Sequence, residues 1–202
     1  GLGAYPVGTE KRLAILFLDI RGFTSFSEHL LPYDVIHILR RFFARMGDVV
    51  ERHGGAIENY MGDGMLAIFA PGERTSPTSR AVKAGLDMLD EAERMKPYER
   101  SVGGRSLEIG VGVHVGEVVT GVLGTRKDPR MTIIGDAVNM ASRVENANKT
   151  TGTRFLISEP TYEEVRGVVR VGRTFTIALP GKTGMYTLYE IVGMAGVPET
   201  ER

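Results

Sequence analysis

Apolar residues run unbroken from Leu13 to Leu18 and stop at Asp19, with Gly22 close behind. A run this short and this apolar reads as a strand over residues 12–19, buried on both faces. From Pro32 to Arg52 the pattern changes period. Val35, Ile38, Leu39, Phe42, Phe43, Met46, Val49 and Val50 recur at helical spacing, and Gly54-Gly55 closes the helix. Residues 56–61 and 65–69 read as two strands joined by the tight turn Gly62-Asp63-Gly64, a hairpin signature. A second helix is expected over 78–94, with Ala81, Val82, Leu86 and Leu89 inward. Residues 107–115 and 117–123 alternate as a strand pair broken at Gly116. A short strand at 131–134 then leads into a helix over 136–147. The remainder predicts a strand at 155–157, a short helix at 161–165, and strands at 168–178 and 185–191.

The order β-α-β-β-α-β in the first 123 residues predicts an α+β fold. Its core is a ferredoxin-like βαββαβ sheet with helices on one face, followed by a smaller C-terminal α/β extension. No internal repeat or low-complexity tract interrupts it. Residues 1–11 read as a lead or linker, 12–192 as the folded domain and 193–202 as a tail. The Gly/Pro-rich start without methionine is expected of a segment of a longer protein carrying further modules upstream. The 25 acidic and 25 basic residues balance, which argues against a nucleic-acid partner. With no cysteine, thiolate metal sites and cysteine nucleophiles are excluded, and a reducing, cytoplasmic setting fits. No apolar run approaches the roughly 20 residues of a membrane helix. Attachment of the full-length protein to a membrane stays open.

Candidate chemistry begins with two carboxylates 44 positions apart. Asp19 ends the first strand and Asp63 tips the hairpin, and the split motif brings both to one sheet edge. A Gly-Asp-Gly turn or a strand-end aspartate alone is ordinary turn and cap chemistry. Two adjacent carboxylates repel unless a cation lies between them, and oxygen-only ligands select Mg²⁺ or Mn²⁺. Free N–H groups where the chain turns into a helix at Gly22, Phe23 and Thr24 suit a polyphosphate. Asn139 and Arg143 stand at i and i+4 on one helix face, an arrangement that can bind a reacting phosphoryl group. An isolated Asn/Arg pair is equally a solvated helix face.

Together these segments resemble the catalytic domain of class III nucleotidyl cyclases, across residues 13–191. Phe17-Leu-Asp19-Ile-Arg-Gly-Phe-Thr24 is similar to the family's first metal motif, and Met61-Gly-Asp63-Gly-Met-Leu-Ala67 to the second. Thr132-Ile-Ile-Gly-Asp-Ala-Val-Asn139-Met-Ala-Ser-Arg143 resembles the base-selecting and transition-state segment. The resemblance implies a head-to-tail homodimer with two sites at the interface. In each site one protomer's Asp19, Asp63 and Ile20 carbonyl hold two Mg²⁺ or Mn²⁺ ions, and the other protomer supplies Asn139 and Arg143. ATP would be converted to cyclic AMP and pyrophosphate.

Base choice in the family rests on two positions, here Asn59 and Thr132. The first is normally Lys for adenine and Glu for guanine. The threonine resembles the adenylyl subgroup that includes bicarbonate-responsive members, which makes bicarbonate a candidate effector. Asn59 offers a donor and an acceptor, as adenine's edge requires, and lacks the carboxylate that would match guanine's donors. ATP is therefore expected over GTP. A guanylyl cyclase, or a catalytically silent regulatory domain, is the alternative. Retention of Asp19, Asp63, Asn139 and Arg143 counts against silence. In the loop Leu179-Pro-Gly-Lys182, Pro180 occupies the family's triphosphate-lysine position, leaving Lys182, Arg126 and Arg130 as candidate phosphate ligands. His114 and Glu117, flanking Gly116, are given no chemistry.

Overall fold

The strand β1 (Thr9–Arg21) lies inside the sheet because both its sides are apolar. Ala14, Leu16, Leu18 and Ile20 enter the main core, while Leu13 and Ile15 enter a second cluster on the opposite face. The computed structural model describes residues 8–72 and 74–196. The first seven residues of the expected lead and residues 197–202 of the expected tail lie outside them. Within them β1 starts at Thr9, three residues earlier than the apolar run alone suggests.

A single turn, α1 (Phe23–Ser27), leads to α2 (Pro32–Arg52), which has the bounds read from the sequence. Pro32 starts it, where a missing N–H costs nothing. Past its end, Gly54 takes the left-handed conformation (φ 71°), and the Gly55 N–H bonds to the Val50 carbonyl at 3.0 Å. The hairpin of β2 (Ala56–Met61) and β3 (Gly64–Phe69) follows as expected, with Gly62 left-handed at its tip. Helix α3 (Pro77–Gly103) is capped by the Ser76 hydroxyl, which accepts from the Ser79 N–H. It runs nine residues beyond the expected end, through Pro97. A helical proline forfeits one backbone bond at about 3 kcal/mol. Burial of Met95 and Glu99 on the final turns offsets this, the Glu99 carboxylate accepting the Leu107 N–H at 2.7 Å.

The expected break at Gly116 is absent. Residues Glu108–Gly124 form one strand, β4, which pairs with all 13 residues of β1 and then with β5 (Pro129–Ile134). The glycines of β4 mark a helix seat instead of a turn. A Cβ on Gly112 would stand 2.5 Å from the Glu145 nitrogen of α4 (Asp136–Thr151), and one on Gly116 would stand 2.8 Å from the Ala137 Cβ. The helix therefore sits against bare backbone. Asn148 fastens it there, its amide donating to the Val111 carbonyl at 2.9 Å.

The chain then adds β6 (Phe155–Ser158) parallel to β4, the short α5 (Glu159–Val165), β7 (Val169–Ala178) and β8 (Met185–Met194). All the strands join one sheet of order β2-β3-β1-β4-β6-β8-β7, with β5 beside β4. The first four strands of that order are the expected ferredoxin-like core. Its helices α2 and α3 cover one face. The opposite face is covered by α4, from the C-terminal extension. Among the described residues no helix is long and apolar enough to cross a membrane.

His114, on unbroken β4, bonds through Nδ1 to the Ser158 hydroxyl at 2.6 Å, and Ser158 bonds in turn to Thr161. Glu117 lies 3.8 Å from Arg12. Burial pushes the imidazole down to about 4, helped by Arg12 and Lys182 and opposed by Asp136. The folded protein thus keeps His114 neutral where the unfolded chain takes up a proton, so stability falls as pH drops below about 6.5 and levels off below about 4. Between pH 7 and pH 5 this residue is expected to remove about 2 kcal/mol of stability. Urea unfolding of a His114→Gln variant should show a pH dependence shallower by that amount. An unchanged slope would contradict a neutral, buried imidazole.

Candidate active site

Ladder pairing of β1 with β3 sets Asp19 opposite Gly64, and the Ile20 N–H donates to the Asp63 carbonyl at 2.9 Å. The two aspartates therefore meet at one edge of the sheet, as their motifs predict. A side chain at Gly64 would intrude: its Cβ would stand 3.1 Å from the Leu18 carbonyl and 3.8 Å from Asp19 Oδ1. Burial first, and the Asp63 charge second, push the Asp19 carboxyl above its ordinary range, with Lys149 and Arg21 opposing.

Those two cations are the protein's own answer to a buried carboxylate. Arg21 Nη1 stands 3.5 Å and Lys149 Nζ 3.7 Å from Asp19 Oδ2. Arg21 is held from behind by Glu145, 3.2 Å from Nη2. Only 4% of Glu145 is exposed, and burial raises its carboxyl to about 7; Asp19 adds to the rise, while Arg21 and Lys149 oppose it. Sequence reading passed over Arg21, Glu145 and Lys149 as site residues. One signal was present: Glu145 lies i+4 from Ala141 on the inward face of α4, where a carboxylate is out of place unless paired.

The donor set fits a hard divalent ion. Among the described residues no three His, Cys, Asp or Glu side chains converge as a metal cluster. Two carboxylates and a carbonyl leave most of the shell to water and substrate oxygens, which is how Mg²⁺ usually binds beside phosphates. Beyond Asp19, Gly22 is left-handed (φ 60°) at the start of α1, and no side chain caps that end. The first-turn N–H groups at Phe23 and Thr24 thus lack intrahelical acceptors.

On α4, Asn139 is exposed and Arg143 half-buried. Arg143 Nε donates to the Pro180 carbonyl at 2.7 Å, and its buried Nη1 has no hydrogen-bond partner among the described residues. Pro180 thus supplies its carbonyl to Arg143. Gly181 next to it is left-handed (φ 74°), and a Cβ there would stand 3.1 Å from Arg143 Nη2. Lys182 does not extend into the open; it is ion-paired with Asp136 at the start of α4 and lowers that carboxyl.

The helix is two-sided. Glu145 and Lys149, one turn apart, face Asp19 of their own chain. Arg143 lies two residues before Glu145, about 200° round the helix, with Asn139 on its side. Since Asn148 fixes α4 against β4, the Asn139/Arg143 face is directed away from the chain's own aspartates.

The other expected residues are more scattered. Asn59 is exposed on edge strand β2 beside a register shift, and Thr132 is half-buried on β5; no hydrogen bond joins them among the described residues. Arg126 is exposed in the β4–β5 turn, and Arg130 pairs with Asp128 at 3.2 Å. Two unlike apolar patches flank these elements. Tyr33, Ile36 and Tyr60 form one, respectively 86%, 58% and 50% exposed, and Leu123 and Ile134 on one face of the β4–β5 arm form the other, with exposed Met131 on the arm's opposite face.

Comparison with known proteins gives the family described as the adenylate and guanylate cyclase catalytic domain, matched over residues 6–192. An adenylate cyclase of Anabaena cylindrica is 36% identical over 151 residues, covering 74% of this chain and 30% of that protein. The solved structure of the guanylyl cyclase Cya2 superposes with a TM-score of 0.86 at 33% identity, covering 94% of this chain and 95% of that one. For the adenylyl cyclase CyaB from P. aeruginosa the values are 0.84, 29%, 93% and 96%. The chain spans 30% or less of the relatives from Anabaena cylindrica, Dictyostelium discoideum and Rhizobium meliloti.

Proposed function

Because the chain belongs to the family of adenylate and guanylate cyclase catalytic domains, we propose that it is an adenylyl cyclase, converting ATP to 3′,5′-cyclic AMP and pyrophosphate as a head-to-tail homodimer. The observation that carries the composite site is the two-sided α4: a helix that holds its own Asp19 with one face offers Asn139 and Arg143 to a second copy with the other. The exposed Tyr33, Ile36 and Tyr60 and the exposed Leu123 and Ile134 give such a dimer apolar surface to bury.

Asp19, Asp63 and the Ile20 carbonyl are the residues to hold two Mg²⁺ or Mn²⁺ ions, which when bound supply electrophilic stabilisation of the 3′-oxyanion and the triphosphate. The N–H groups at Gly22, Phe23 and Thr24 cradle phosphate oxygens. The ribose 3′-hydroxyl gives its proton to solvent water and its oxygen forms a bond to the α-phosphorus, while the bond from the α-phosphorus to the α–β bridging oxygen breaks and pyrophosphate leaves in line with that oxygen. Asn139 of the second protomer orients the ribose. Arg143, whose Nη1 has no hydrogen-bond partner among the described residues, meets the charge that develops on the α-phosphoryl oxygens. With Lys182 turned onto Asp136, triphosphate binding on that side falls to Arg126, or to Lys182 once that pair opens.

Asn59 and Thr132 select adenine, with amide and hydroxyl complementing N1 and the 6-amino group. The Anabaena relative's name agrees with ATP, and that of Cya2 keeps GTP as the second reading. Purified protein given equal ATP and GTP with Mn²⁺ should yield cyclic AMP as the larger product by mass, with the higher kcat/KM. A higher kcat/KM for GTP would reverse the assignment, and neither product would indicate a silent domain. The same assay at fixed pH with added bicarbonate tests the effector suggested by Thr132. We place this domain in the cytoplasm, under control of further modules in a longer chain.

A further inference from the structure

The pairing around Asp19 contains one fixed cation and one movable one. The Arg21 side chain is only 21% exposed and hydrogen-bonded to the buried Glu145, which holds it beside Asp19. Lys149 is different. Its side chain is 56% exposed on the last turn of α4; besides the ion pair with Asp19, its ammonium donates to Asn146 at 3.3 Å and lies near enough to Glu145 to act on its charge. A lysine stem of this kind swings into water at little cost, because the ammonium is well solvated and the ion pair with Asp19 is partly screened.

We propose that Lys149 is a built-in counter-ion that competes with the divalent metal for Asp19. In the metal-free protein its ammonium supplies positive charge to a carboxylate that burial and Asp63 both disfavour. When a divalent ion arrives, the like charges repel and Lys149 moves out, whereas Arg21 remains and keeps the carboxylate oriented. Metal affinity is thereby set lower than the two aspartates alone would give, and the site avoids an uncompensated pair of negative charges between turnovers. Lys149 acts on the metal through Asp19 and is a positioning residue, not a catalytic one. The inference rests on the metal role proposed for Asp19.

Mn²⁺ alone is the probe, titrated into the intact chain and followed by the electron paramagnetic resonance of the free ion. Removing one neighbouring charge at a half-exposed site is expected to change affinity by about three- to tenfold. Lys149→Gln should therefore bind Mn²⁺ more tightly by that factor, and Lys149→Arg, which keeps the charge, should match the wild type. The difference should shrink as salt rises, since the Debye length is about 8 Å at 0.15 M ionic strength. Equal or weaker Mn²⁺ binding by Lys149→Gln would overturn the proposal. If Asp19→Asn and wild type bind Mn²⁺ alike, the metal assignment itself has failed, an outcome distinct from failure of Lys149's part. Lys149 is exposed at a helix end, so neither replacement threatens folding.

Discussion

Asp19→Asn protein is expected to fold and dimerise while losing cyclisation by about a thousandfold or more, some 4 kcal/mol of transition-state stabilisation. The substitution keeps the side chain's shape and leaves the β1–β3 and β1–β4 ladders untouched, because these are made by backbone groups. It removes the charge that would draw divalent ions. Its stability effect follows from the direction of the carboxyl's shift. The folded protein raises the pKa of Asp19, so the ionised form is disfavoured by folding, and a neutral amide should leave the thermal midpoint unchanged or slightly higher. Arg21 keeps Glu145 as its partner. Turnover within tenfold of wild type would remove Asp19 from the mechanism, and a large drop in the midpoint would show that its role is structural.

Those parts of the fold set by local periodicity were legible. The bounds of α2 follow from an apolar stripe between Pro32 and Gly54, and the β2–β3 hairpin follows from the Gly62-Asp63-Gly64 turn, where Gly62 is left-handed. What escaped was set by contacts between distant segments. Gly116 looks like a break in a strand, but the requirement it meets is the approach of α4, which nothing near position 116 announces. The extension of α3 past residue 94, through Pro97, rests on the burial of Met95 and Glu99. Asp19 and Asp63 could be paired from motif order because a split βαββαβ unit leaves few alternatives. Of the two cations meeting Asp19, Lys149 could not be named, because it arrives from the distant helix α4, whose seat on β4 is set by long-range contacts. The Arg143–Pro180 bond lay beyond reach for the same reason: a carbonyl acceptor is carried by every residue and leaves no mark in the sequence.

Subunit complementation puts the shared site to the test. Asp63→Ala and Asn139→Ala proteins should each be impaired by about a hundredfold or more, the first in its metal ligands and the second in transition-state contacts. Mixed in equal amounts with free exchange, half of the dimers are heterodimers, and each of these rebuilds one intact site of two. Activity should then rise to about a quarter of wild type, with pull-down of differently tagged protomers reporting the exchange. If exchange is complete and activity stays at the sum of the two mutants, Asp63 and Asn139 belong to the same protomer's site, and the outward face of α4 serves something other than a partner's nucleotide.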